Sequence, residues 1–257
     1  MNDFFDTLAQ DAKATIKSGY YQTSNHTKQV TTRFKTAIQN PKGNAVITEI
    51  KTTAPSAGTI RTNINPTQIA QAMQQGGAMG LSVLTEPKHF NGSLQTLKQA
   101  REAVKLPILM KDIILSPIQV EAAAKLGANA ILIIETLFER GYGTMDLDEL
   151  IEHAHAHNLE VLLETHNKTE FHTANKRKTD LLGINNRDLA TLQINLKTTQ
   201  TILKTQKPNH PIITESGIKT PDELRYLRGC GANAFLIGSS IMATNDIEAK
   251  VREFVEA

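Results

Sequence analysis

Eight short runs rich in Ile, Leu and Val alternate with amphipathic stretches from residue 45 onward, a pattern that predicts an α/β fold, a single (β/α)8 TIM barrel with an N-terminal helical extension. The runs do not alternate cleanly between apolar and polar residues, as expected of parallel strands covered by helices. No Gly-x-Gly-x-x-Gly turn follows the first run, which argues against a dinucleotide-binding sheet. The chain has 257 residues, and such barrels occupy about 250 residues as one domain.

In chain order, residues 2–18 read as an amphipathic helix, with Phe4, Phe5, Leu8, Ala12 and Ile16 near helical spacing. A polar stretch containing Gly19 and Ser24 follows, then a second helical segment from about Lys28 to Gln39. Both precede the first strand, so residues 1–44 form a helical extension packing on the barrel and residues 45–257 the catalytic barrel domain. The expected strands are Ala45–Lys51, Gly80–Leu84, Pro107–Lys111, Ala130–Ile134, Glu160–Glu164, Leu181–Asn185, Pro211–Thr214 and Ala234–Ile237. Helical patterns between them lie near Gln68–Gln75, Leu94–Val104, Ile118–Leu126, Leu147–His157, Lys168–Asn175, Leu196–Lys204 and Pro221–Arg228, and Ile247–Val255 closes the sequence. Gly127-Ala-Asn-Ala130 recurs as Gly231-Ala-Asn-Ala234 ahead of strands four and eight, the spacing of two half-barrels sharing a pattern. No linker or low-complexity tract interrupts the chain after residue 45.

A net charge of +2 and 5 % aromatic residues without Trp give no argument for nucleic acid or a membrane surface, and no apolar run approaches the roughly 18 residues that span a bilayer. The acidic N-terminus lacks the features of a signal peptide, which points to the cytoplasm. Cys230, the single cysteine, excludes an internal disulfide framework and reads as a small buried helix residue.

Chemistry in such a barrel belongs at the C-terminal ends of the strands. The first strand ends with Glu49 and Lys51 on the face of Ile47, the third with Lys111-Asp112, the fifth with Glu164 and the sixth with Asn185-Asn-Arg187-Asp188. Strand two leads to Thr85 and Phe90-Asn-Gly-Ser93, and strand seven ends with Glu215-Ser-Gly217. Two lysines and two carboxylates converging on one mouth are the material of general acid–base catalysis, since burial beside opposite charge shifts both pKa values. Ser216-Gly217 and Gly238-Ser239 fall at the ends of strands seven and eight, where backbone N–H groups of these barrels commonly hold a phosphate. His153, His155 and His157 alternate with alanine in a helix outside the barrel, where only His153 and His157 share a face, so no metal site is read there. His166, two residues past Glu164, could line the mouth.

The set Glu49-Ile-Lys51, Pro55-Ser56, Leu84-Thr85, Phe90-Asn-Gly-Ser93, Lys111-Asp112, Gly183-Ile-Asn-Asn-Arg-Asp-Leu189, Glu215-Ser-Gly-Ile218 and Gly238-Ser239 resembles the indole-3-glycerol-phosphate synthase family, in order from about residue 44 to the C-terminus. The resemblance implies a cofactor-free, metal-free lyase of tryptophan biosynthesis; a monomer is expected. Such a lyase converts 1-(2-carboxyphenylamino)-1-deoxyribulose 5-phosphate to indole-3-glycerol phosphate, carbon dioxide and water. It implies Lys111 as general acid at the substrate carbonyl, Glu164 and Glu49 in proton transfer, and Lys51 near the substrate's anionic groups. Asn185 and Arg187 would orient the substrate, Phe90 would wall the anthranilate ring, and Ser216, Gly217, Gly238 and Ser239 would hold the phosphate. It further implies that the N-terminal helices help cover the mouth. Two positions depart from the family pattern: Ala54 stands where serine is usual and Ile113 where phenylalanine is common. Neither is an acid or base, so modest changes in affinity are expected. The rival readings are another phosphosugar barrel, such as phosphoribosylanthranilate isomerase, or a barrel that binds a phosphorylated metabolite without catalysis.

Overall fold

The computed structural model describes residues 3–24, 26–27, 29–54, 58–62 and 64–257. Eight parallel strands close into a barrel: β1 (Val46–Ile50), β2 (Gly80–Leu84), β3 (Ile108–Lys111), β4 (Ala130–Ile134), β5 (Glu160–Thr165), β6 (Leu181–Asn185), β7 (Ile212–Glu215) and β8 (Ala234–Ile237). Each pairs with its sequence neighbour and β8 pairs with β1, Val46 opposite Phe235. Period-two alternation sends Val46 and Ile50 outward against the helices while Ile47 and Glu49 point into the barrel. Ile47, Leu109, Leu162 and Ile213 belong to one packed interior cluster. They come from β1, β3, β5 and β7, the four alternate strands that build one layer of a filled (β/α)8 barrel.

Each expected strand is present to within a residue or two. Two short helices, Glu135–Glu139 and Ser239–Met242, were not foreseen, because four or five residues are too few to show a 3.6-residue period. A two-stranded antiparallel ribbon, Thr53–Ala54 with Gly58–Thr59, follows β1 where only a turn was expected. Pro55 and Ser56 lie outside the described residues. Cys230 sits at the C-cap of the helix Pro221–Gly229 and is half-buried, not the buried helix residue expected, because that cap lies at the edge of the helical layer.

The repeated Gly-Ala-Asn-Ala acquires a physical meaning. Asn129 and Asn233 each accept at Oδ1 from the first N–H of the neighbouring strand, Ile108 (3.0 Å) and Ile212 (2.8 Å). Their own N–H groups donate to the same residues' carbonyls. Asp180 makes the same clamp on Val161 at the start of β6. These side chains satisfy strand-end groups that the barrel ladder leaves over.

The two N-terminal helices close opposite ends of the barrel. α1 (Phe4–Lys17) buries Phe5, Leu8, Ala9 and Ala12 against the interior cluster at the mouth. Arg140 pairs with its Asp3 and Asp6, and Lys88 with its Asp11, tying it to the loops after β4 and β2. α2 (Phe34–Gln39) is shorter than expected and stands at the far end, where Phe34 and Ile38 plug the barrel floor. The Glu160 carboxylate at the start of β5 accepts from the N–H groups of Phe34 (2.6 Å) and Lys35 (2.9 Å), capping a helix whose own N-cap side chain makes no bond. Residues 29–33 form no helix: their β-branched Val30, Thr31 and Thr32 disfavour it, and Asn129 Nδ2 donates to the carbonyls of Val30 and Thr32. The family-derived expectation that both helices cover the mouth therefore holds for α1 alone.

Glu135, fully buried just past β4, is neutralised by Arg177, whose Nη2 lies 2.9 Å away and whose Nη1 also reaches Asp148. Arg177→Ala is expected to lower unfolding stability by about 3 kcal/mol, because it strands a buried carboxylate while Arg177 itself retains some water access. Urea denaturation checks this; removing Glu135 as well should recover part of the loss.

Candidate active site

Two residues above the apolar layer, each odd-numbered strand carries a charge: Glu49 above Ile47, Lys111 above Leu109, Glu164 above Leu162 and Glu215 above Ile213. The same alternation that packs the hydrocarbon below must therefore turn these four side chains inward. Glu49, Glu164 and Glu215 keep only 2 %, 1 % and 1 % of their surface exposed. Lys111 Nζ stands 3.7 Å from Glu164 Oε2 and 3.6 Å from Glu215 Oε2. Lys51, one further step along β1, forms an ion pair with Glu49.

The two glutamates facing Lys111 are not equivalent. Burial raises the Glu164 carboxyl, but Lys111 on one side and His166 on the other outweigh it and hold it below the usual range. Burial drives the Glu215 carboxyl upward, the charge of Glu164 drives it further, and Lys111 offsets only part. Burial works to lower the Lys111 amine, yet Glu164, Glu215 and Glu49 together keep it protonated, above its ordinary range. The cluster therefore holds an ammonium, an ionised carboxylate and a carboxyl that retains its proton into neutral pH.

Above this layer opens a cavity of about 650 Å³, mouth included, within the range of small-molecule sites. Phe90, Leu8 of α1, Ile113, Leu132, Ile134 and Leu189 supply its apolar wall, and Asn185, Arg187 and Ser216 its polar side. Glu86 shapes the loop that carries Phe90: its carboxylate accepts from the N–H groups of Lys88 (2.9 Å), His89 (2.7 Å) and Phe90 (3.0 Å). Asn185 Oδ1 accepts from Arg187 N at 2.9 Å, and Arg187 Nη1 donates to Leu192 O at 3.2 Å, which fixes the bend after β6. Asn186 points the other way, donating to Thr214 Oγ1 and accepting from Thr199 Oγ1, and so ties β6 to β7. Asp112 is structural too. Tyr21 and Thr85 donate to its carboxylate, and its pKa, driven up by burial, reaches about 6.

A second hollow continues from the first and shares Glu49, Lys51, Lys111, Arg187 and Ser216 with it. Ser216, Gly217, Gly238 and Ser239 line it together with Lys219. Ser216 and Gly217 turn the chain after β7 with φ of +66° and +88°. Gly238 leads the short helix Ser239–Met242, whose first N–H groups have no acceptor within the helix. A Cβ on Gly238 would stand 2.6 Å from Glu49 Oε2 and 3.0 Å from Lys51 Cε, so only glycine lets the Glu49–Lys51 pair lie under this loop.

All eleven residues singled out from sequence line these joined hollows. Glu215 stands at a strand end and in the set that carries the family resemblance but was given no role, although the spacing it shares with the other three (Ile-Thr-Glu, Leu-Met-Lys, Leu-Leu-Glu, Ile-Thr-Glu) is readable. Glu86 and Leu8 carried no such signal. The helix histidines lie elsewhere: His155 pairs with Asp180 and His153 approaches Glu121, acidic partners on neighbouring elements that spacing did not reveal. Among the described residues no group of three His, Cys, Asp or Glu side chains is arranged to hold a metal ion.

A filled (β/α)8 barrel with an acid–base layer at its C-terminal mouth, opening into an apolar-walled cavity, defines a barrel enzyme acting on a small molecule. The family model for indole-3-glycerol phosphate synthase matches residues 6–254, and the chain belongs to that family. It is 44 % identical over 227 residues to the indole-3-glycerol phosphate synthase of Methanocaldococcus jannaschii, covering 87 % of this chain and 83 % of that one. To the same-named protein of Koribacter versatilis it is 35 % identical over 252 residues, 97 % and 94 % of the two chains. A solved structure of an N-acetylmannosamine-6-phosphate 2-epimerase from Clostridium perfringens superposes with a TM-score of 0.61 at 17 % identity, covering 85 % of this chain and 93 % of that one, a likeness of fold alone. The family match sets aside the isomerase-like reading. No helix among the described residues is long and apolar enough to cross a membrane.

In Glu164→Gln the Glu215 carboxyl loses its repelling neighbour and keeps Lys111, so it is expected to titrate at lower pH than in the parent protein, as carboxyl-carbon NMR would read.

Proposed function

We propose that this chain closes and decarboxylates 1-(2-carboxyphenylamino)-1-deoxyribulose 5-phosphate to indole-3-glycerol phosphate, and that its site residues act as follows. The observation that carries the reading is a single ammonium, Lys111, within 4 Å of two buried glutamates of opposite tendency, beside a hollow lined by two serine–glycine turns. The substrate's ring rests on the wall of Phe90, Leu8 and Ile113, with its phosphate at Ser216, Gly217, Gly238 and Ser239. Lys51 faces the anionic groups, and Asn185 and Arg187 orient the chain between ring and phosphate.

Lys111 protonates the ketone oxygen as the ring carbon bearing the carboxylate bonds to the carbonyl carbon. The C–CO2 bond then breaks, and its electron pair restores the aromatic ring. The remaining hydroxyl leaves as water once it receives a proton, while a base removes the proton whose loss completes the pyrrole double bond. The proton-retaining Glu215 suits the donor, and the ionised Glu164 the base. Glu49, paired with Lys51, serves proton transfer at the far side of the mouth. Ile113 lines the wall where the family commonly has phenylalanine and is itself neither an acid nor a base, which supports a preserved reaction. Ala54, whose backbone pairs with Gly58, adjoins residues outside those described.

The same reading takes residues 1–44 as an extension packed on a barrel of residues 45–257, supported by the two helices that close its ends. It also takes the protein as a cytoplasmic monomer without a nucleic-acid partner. The net charge of +2 supports the absence of a nucleic-acid partner.

The test is to mix purified protein with the carboxyphenylamino substrate and follow indole fluorescence; folded protein without turnover would refute the reading. Lys111→Ala should lower kcat by about 10²–10⁴-fold while phosphate-dependent binding persists. Raising the pH strips the proton from Glu215, so kcat should fall on the alkaline side. Glu215→Gln, which has no proton to lose, should be slow and lack that limb.

A further inference from the structure

Lys111 lies almost equally far from Glu164 and Glu215, so the lysine alone does not choose which of them carries the charge. The difference lies behind Glu164. The His166 side chain is 7 % exposed, with Nε2 3.1 Å from Glu164 Oε1 and Nδ1 3.2 Å from Glu170 Oε2. Two carboxylates at ion-pair distance from one imidazole favour its cationic form, with a proton on both nitrogens. Glu170 is fixed in turn: its Oε2 accepts from His166 N at 2.7 Å, and its Oε1 accepts from Asn167 Nδ2. Phe5 of α1 packs edge-on against the imidazole, ring centroids 5.2 Å apart, with the Arg140 guanidinium beyond Phe5. Among the described residues Glu215 has an ion pair with Lys111 alone, and the His166 charge acts on it only as a minor influence. Glu215 Oε1 faces Gly183, where a Cβ would come within 2.8 Å.

We propose that His166 is a positioning residue: an imidazolium braced by Glu170 that makes Glu164, and not Glu215, the ionised partner of Lys111. In mechanistic terms it assigns base to β5 and acid to β7 in an otherwise near-symmetric pair. Burial works to lower the imidazole, and the two carboxylates outweigh it, raising it to about 9. The groups that face this cluster are Glu164, Glu170, Lys111 and Glu215, with Arg140 across Phe5; removing the imidazolium leaves Lys111 as the one cation between two carboxylates.

The kinetic arm rests on the synthase reading; the spectroscopic arm does not. In the substrate-free protein, ring-nitrogen NMR should find His166 protonated on both nitrogens near neutral pH. Carboxyl-carbon NMR should find Glu164 titrating well below Glu215, and His166→Gln should narrow that gap. In turnover, His166→Gln should lower kcat roughly ten-fold or more with KM within about two-fold. Its acid limb should move to higher pH, because Glu164 without the cation binds its proton more readily. Glu170→Gln, which leaves the His166–Glu164 contact in place, should move both readouts the same way by less and serves if His166→Gln does not fold. A ring with one N–H, or a carboxyl gap unchanged in both variants, overturns the proposal. Expected NMR behaviour in a protein without turnover refutes the synthase reading and leaves the His166 assignment standing.

Discussion

The structure depends on a layer of charge resting on a layer of hydrocarbon inside a closed barrel. Ile47, Leu109, Leu162 and Ile213 fill the interior, and two residues further along the same strands come Glu49, Lys111, Glu164 and Glu215. Strand geometry leaves no alternative: if the first four point inward to pack, the second four point inward as well. Three carboxylates withdrawn from water in this way would be severely destabilising if unpaired. They are tolerable because Lys111 is shared by two of the glutamates and Lys51 pairs with the third. The shortage of positive charge in that layer is also its chemical asset, since three carboxylates with one lysine among them do not all ionise together.

The surroundings of the layer give its members different tasks. Gly183 on β6 and Gly238 just past β8 leave room for the Glu215 and Glu49 carboxylates where any larger residue would collide. His166 and Glu170 extend the charge outward from Glu164 alone. α1 completes the cavity from a distant part of the chain by contributing Leu8 to its wall and Phe5 to the cover over His166. The helix is held by ion pairs from Asp3, Asp6 and Asp11 to the loops after β4 and β2, so its position over the mouth is coupled to the loops that shape the cavity. At the barrel floor, α2 serves stability and touches none of the chemistry.

Much of this was open to reading because each strand is local. A run such as Leu109-Met110-Lys111 carries its own period, and the position of a polar residue at the strand's end follows without knowledge of its neighbours. Short helices such as Ser239–Met242, the ribbon after β1 and the non-helical course of residues 29–33 were hidden because tertiary partners, not local periodicity, produce them. Glu215 was passed over as a site residue although its strand repeats the Ile-Thr-Glu of β1.

By itself, then, the amino-acid order determined the barrel, the end at which its chemistry sits and the inward strand-end charges Glu49, Lys111 and Glu164, because an alternating strand dictates direction one residue at a time, while the loop residues around the mouth came from the family resemblance. Only the tertiary structure decided which carboxylate is ionised, which keeps its proton and which helix covers the site. Those properties depend on distances between groups tens of residues apart in sequence, such as Lys111 with Glu164 and Glu215, or Phe5 with His166, and on the water excluded between them. Barrel closure brings those groups within a few ångströms of one another, and no local pattern encodes that approach.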